Sequence, residues 1–135
     1  MSDSDDFSEI GCDLVHTGSV ARVLMEKSVT KEFLKLESKK QARLLSNATV
    51  WASEHRPSSE QFNGNEGRCG GENDRMLVAI KAHKIRLYGI IRRYRGLKTM
   101  MIVDIDVAKK QDLANPRILK RAKIKAISID ELCGD

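Results

Sequence analysis

Apolar positions between residues 75 and 105 recur at every second residue, the period of a β-strand. Met76, Val78 and Ile80 alternate with Leu77, Ala79 and Lys81, which predicts a strand over 75–82. Ile85, Leu87, Gly89 and Ile91 repeat the period over 85–93, and Met101, Val103 and Ile105 repeat it over 98–105. The links between these runs are short, so they predict an antiparallel meander. Upstream, SVARVLM (19–25) reads as a first strand. The period then becomes helical. TKEFLKLESK predicts a short helix, capped by Ser28 or Thr30, with Phe33 and Leu34 facing inward. Leu44, Leu45, Ala48, Trp51 and Ala52 form one apolar stripe on a second helix over about 39–54. Asn115-Pro116 supplies an N-cap and a favoured first residue for a last helix, whose apolar side is Ile118, Leu119, Ala122 and Ala126. The resulting order, β-α-α-β-β-β-α, predicts an α+β domain with a helical pair packed on one face of an antiparallel sheet.

Three segments fall outside this pattern. Residues 1–18 lack sustained periodicity and predict a loose acidic leader, which leaves 19–130 as the single domain and 131–135 as a tail. Residues 56–75 are rich in Gly, Asn, Ser and Glu and predict a long loop. No apolar run approaches the roughly 20 residues of a membrane span, and no signal-peptide pattern opens the chain, so a cytoplasmic location is expected. Cys12, Cys69 and Cys133 are widely spaced and suit reduced thiols better than a zinc site.

Charge changes the picture. All 24 Lys and Arg residues lie beyond residue 20, against 14 of the 19 Asp and Glu residues, so a net charge of +5 conceals an excess of +10 in the body of the chain. Such an excess favours an anionic partner, nucleic acid or an acidic protein. Its densest stretch is KIRLYGIIRRYRG (84–96), where even spacing puts Arg86, Tyr88 and Arg92 on one strand face. Lys81, His83 and Lys84 cluster at the preceding link. Cleavage of RNA by its own 2′-hydroxyl needs a base, a cation on the phosphorane and an acid for the leaving oxygen. Lys, His, Arg and Tyr can supply all three. Crowded cations favour a neutral amine, and an imidazole exchanges protons near neutrality. Asp104 and Asp106 lack an obvious third carboxylate and sit among cations, so neither a metal nor another cofactor is expected.

KAHKIRLYGIIRRYRGLKT, followed by DIDVAKKQD and LKRA, resembles the RelE/ParE superfamily of type II toxin–antitoxin toxins, and within it a HigB-like, phage-associated subgroup. The sharp match covers about 78–122, and the architectural likeness about 20–128. The resemblance implies a RelE-like fold and a metal-independent endoribonuclease acting on mRNA, commonly on the ribosome. It also implies silencing by a cognate antitoxin of helix-turn-helix type, in a toxin–antitoxin hetero-oligomer. Arg86 matches the family's strand arginine and would hold the scissile phosphate, with Lys81 or His83 and Tyr88 as candidates for proton transfer. Lys84, Arg92, Arg93, Arg95, Lys98, Lys109 and Lys110 would contact RNA or ribosome backbone. Superfamily members differ in target, which leaves two alternatives open: a non-catalytic inhibitor of a target such as DNA gyrase, or an RNA-binding module without cleavage.

Overall fold

A computed structural model describes residues 6–107 and 115–134. Six strands form one sheet: β1 (Cys12–Thr17), β2 (Arg22–Glu26), β3 (Phe62–Asn63), β4 (Val78–Ala82), β5 (Ile85–Tyr94) and β6 (Leu97–Asp106). Their spatial order is β1-β2-β6-β5-β4-β3. Every pairing is antiparallel except β2 with β6, which run parallel, so the sheet is mixed rather than antiparallel throughout. The parallel pair follows from the crossover between them, because β2 leads into α1 (Lys27–Phe33) and α2 (Ser38–Ala52) before the chain returns. The expected meander β4-β5-β6 is present, and helix α3 (Pro116–Cys133) closes the fold.

Alternation along the strands divides the core in two. Val23, Met25, Val78, Ile80, Ile85, Leu87, Met100 and Ile102 pack beneath α1 and α2, against Val29, Phe33, Leu44, Ala48 and Trp51. Leu24, Leu77, Ala79, Tyr88, Ile90, Met101 and Val103 face the other way, against Ala122, Ala126 and Ile129 of α3. The face bearing Arg86, Tyr88 and Arg92 is therefore roofed by a helix. Asn115 caps that helix as expected, its side chain accepting from the backbone N–H of Arg117. Helix α1 starts instead at Lys27, with Glu26 in the N-cap position and making no side-chain cap, so neither Ser28 nor Thr30 fills that position.

The register slips by one residue between Tyr88 and Gly89, where Val103 is the extra residue on β6. A bulge of this kind turns two successive side chains to the same side. Val103 and Asp104 consequently both face α3, where Asp104 meets Arg121. Gly89 lies beside the bulge because nothing larger fits: a Cβ there would stand 2.4 Å from the carbonyl oxygen of Met101.

The structure overturns the loose leader over residues 6–17. Phe7, Ile10 and Cys12 are buried in the α3-side core, and β1 pairs with β2. A 3₁₀ turn at Ser8–Ile10 and a register shift between Leu14 and His16 break the apolar spacing, which is why no period shows in the sequence. The tail also begins later than expected, since α3 runs to Cys133. The helical turn expected at 107–112 lies, apart from Val107, outside the described residues.

Candidate functional site

The β4–β5 hairpin carries the densest chemistry. Its two-residue loop is His83-Lys84, and both residues are left-handed (φ 52° and 67°). That is the geometry of a tight hairpin turn which ordinarily takes Asn-Gly. Non-glycine residues there hold strain of the order of 1 kcal/mol each. Immediately below the turn, Lys81 and Arg86 stand opposite each other on paired strands. Lys81, His83, Lys84 and Arg86 together line a concavity of about 390 Å³, where Glu60 is the one acidic residue among the described lining. Lys84 and His83 also border a larger groove of about 960 Å³ between α1 and α3, lined by Lys35, Lys40, Arg121 and Lys125 and by the carboxylates of Glu32 and Asp104.

The backbone beneath these groups is held firmly. The Lys81 carbonyl accepts from Asn47 Nδ2 at 2.7 Å, and its N–H donates to the Gln61 carbonyl at 2.8 Å. Gln61 Nε2 in turn donates to Asn47 Oδ1 at 3.1 Å. Asn47 is buried on α2, and a buried amide with its partners satisfied fixes what it touches. Sequence reasoning passed over Asn47. Its signal was an amide three residues after Leu44, inside the apolar stripe.

Arg86 is mostly covered, and its Nε lies 3.7 Å from Glu66 Oε2. Glu66 comes from the connection between β3 and β4, where Asn63 Nδ2 at the end of β3 donates to the same oxygen at 2.8 Å, so the expected 56–75 loop is interrupted by that short strand. The connection therefore helps to place Arg86. Asp104, on the neighbouring strand, instead receives two 2.7 Å hydrogen bonds from Arg121.

Two candidates are placed where their expected roles fail. Tyr88 is fully buried, out of reach of a stacked base, and its hydroxyl has no hydrogen-bond partner among the described residues. Burial, with the Glu66 charge nearby, pushes its pKa up to about 12, so the phenol stays protonated but faces the core. Arg92 is likewise buried. It donates from Nη1 to Asp130 Oδ1 at 2.5 Å, from Nη2 to the Gly134 carbonyl at 3.0 Å and from Nε to the Arg93 carbonyl at 3.1 Å. This is a clamp on the end of α3, not an RNA contact. Even spacing put both side chains on one face, as expected, but α3 covers that face.

The remaining basic positions separate. Arg93 is exposed at the far end of β5. Arg95 donates to Glu9 Oε1 at 2.6 Å and to the Asp6 carbonyl at 2.9 Å, so the acidic leader caps it. Its guanidinium and that of Arg22 both lie over the Phe7 ring, at 4.5 and 5.0 Å from the centroid. Hydrogen bonds from Arg95 and Tyr94 hold the Glu9 carboxyl below its usual range. Lys98 lies over the Trp51 ring, on the α2 side of the sheet. Lys109 and Lys110 fall outside the described residues.

Among the described residues no three His, Cys, Asp or Glu side chains converge as metal ligands, and no helix is long and apolar enough to cross a membrane. Taken together, fold and site define an α+β protein with a strained, lysine- and arginine-rich hairpin at one end of its sheet. Compared with protein-family models, curated proteins and solved structures, the chain shows no significant match.

Proposed function

We propose that this chain is a RelE/ParE-superfamily toxin of HigB-like type, a metal-independent endoribonuclease that cleaves mRNA, on the ribosome, and is silenced by a cognate antitoxin. The observation that carries the reading is the convergence of Lys81, His83, Lys84 and Arg86 on one concavity, above a backbone held by Asn47 and Gln61. The α+β class and the order β2-α1-α2-β4-β5-β6-α3 support the reading, while β1, β3 and the parallel β2–β6 pair are additions to the expected antiparallel order. In this reading Arg86, steadied by Glu66, stabilises charge on the scissile phosphate. Lys81 and His83 divide the proton transfers, and the buried Tyr88 takes no part.

The test is cleavage of a defined mRNA, with and without translating ribosomes and in the presence of a chelator. Wild type should cut under both chelated and unchelated conditions. Lys81→Ala, His83→Ala and Arg86→Ala should each lose at least tenfold, given that one positioned acid or base contributes about 10²–10⁴. Intact RNA with every protein would sink the proposal. A second reading, an RNA-binding module without cleavage, is favoured by two observations. Arg86 already has the Glu66 carboxylate beside it, and the tyrosine expected to supply an acid is buried.

A further inference from the structure

Helix α3 turns Ala122, Ala126 and Ile129 into the core, yet the middle of its opposite face is an isoleucine, Ile124, which is 59% exposed. Arg117 and Glu131, both exposed, stand seven residues to either side of it. At that spacing the three side chains fall in one line along the helix, drifting only ~20° per step. We propose that this line is the seam of a homodimer, in which α3 packs antiparallel against α3 of a second copy about a two-fold axis at Ile124. The inference goes beyond the activity proposed above and does not depend on it.

Three observations choose a second copy as the occupant. The first is that the seam is complementary to itself. Turning the helix end over end about Ile124 brings Arg117 opposite Glu131 of the second copy, and Glu131 opposite its Arg117, each ~10 Å from the axis. Ile124 meets its own counterpart there, which covers both. Lys120 and Ser128, both exposed and each four residues from Ile124, face each other in the same register.

The second is that these charges are unspent within one chain. Arg117, Lys120 and Glu131 have no ion-pair partner among the described residues, whereas Arg121 and Lys125, on the flank of the same helix, turn to Asp104. The third is that their placing opposes the dipole of their own helix. The first turn of α3 carries no acidic residue and the last turn no basic one. Arg117 lies instead at the positive end and Glu131 near the negative end, an arrangement unfavourable in an isolated helix. An antiparallel neighbour reverses this, because each cation then lies beside the negative end of the other helix and each carboxylate beside the positive end. A nucleic acid would meet Arg117 and Lys120 but be repelled at Glu131. A seam of one helix is small, so the dimer is weak and concentration-dependent.

Sedimentation velocity of the full chain, at loading concentrations from about 1 µM to 1 mM, tests the seam. Wild type should shift from the mass of one chain toward that of two as concentration rises. Ile124→Asp should stay monomeric over the same range, since it sets two carboxylates against each other at the axis. Arg117→Glu and Glu131→Arg should each raise the dissociation constant about tenfold or more, because each faces like charges across the seam. Combining the two swaps in one chain restores opposite charges and should recover most of that loss. Both swaps suit the dipole of α3, so neither loosens the helix, and urea midpoints establish that every variant is folded. A wild type that stays monomeric at every concentration overturns the dimer. So does association that Ile124→Asp leaves unchanged, or a double swap no tighter than either single one. If the chain is monomeric and Arg117→Glu weakens RNA binding, the face belongs to nucleic acid and the dimer is likewise refuted.

Discussion

Replacing Arg92 with lysine separates a structural arginine from an RNA contact, because it keeps the charge and removes the fork. The native guanidinium reaches four acceptors: the Arg93 carbonyl, the Asp130 carbonyl and carboxylate, and the Gly134 carbonyl. An ammonium is one compact donor centre that can follow Asp130 but cannot also span the carbonyls on either side. The Arg93 and Gly134 carbonyls belong to exposed residues and can turn to water, so each lost hydrogen bond costs about 0.5–1.5 kcal/mol. The expected loss is therefore about 1–3 kcal/mol. In a domain of this size that lowers Tm by about 4–12 °C. Urea denaturation followed by circular dichroism measures the first figure, and a thermal scan the second. RNA affinity and its salt slope, measured where the variant is still folded, should match wild type. A variant of wild-type stability that loses affinity for RNA would refute the clamp and restore Arg92 to the binding surface.

Four further outcomes follow from the same contacts. Asp130→Asn should be less stable than wild type at neutral pH by about 3–5 kcal/mol, since it leaves buried Arg92 without its counter-charge. The Asp130 carboxyl has a lowered folded-state pKa, so its contribution is complete above the unfolded value near 4. It is lost as pH falls through the folded value, and the gap between the two proteins in urea titrations should narrow from about pH 5 downward. Gly89→Ala should fail to fold or lose several kcal/mol by chemical denaturation, because its Cβ would meet backbone at Met101 rather than a side chain that can swing away. Phe7→Ala should cost about 3–5 kcal/mol, which would not occur if the leader were loose. His83→Gly should gain up to about 1 kcal/mol by relieving a left-handed residue, yet lose RNA cleavage in the same preparation.

The central meander and helices α2 and α3 were legible in the sequence because their apolar residues keep a period of two or of about four, whereas α1 begins and ends earlier than its pattern predicts and leaves Leu34 exposed. Irregular backbone hid the rest. The short 3₁₀ turn and the shift after Leu14 disguised β1 and the buried Phe7. The extra residue at Val103 moved Asp104 to the α3 side, against a strict reading of alternation in β6. The hairpin cluster was legible for a different reason. Lys81, His83, Lys84 and Arg86 are neighbours in sequence, and a tight turn keeps sequence neighbours together in space.

By itself, then, the sequence determined which residues share a face of β4 and of β5, where the basic charge gathers, and that the class is α+β. These are local properties, set by backbone period and side-chain type. Only the tertiary structure decided which face is open. Helix α3, packed along the Arg86–Tyr88–Arg92 face, buries Tyr88 and turns Arg92 into a clamp through Asp130, 38 residues further along the chain. The long loop brings Glu66 to Arg86, and the acidic leader brings Glu9 to Arg95. A cation's freedom to meet a ligand depends on what else the fold places beside it, and those neighbours are distant in sequence.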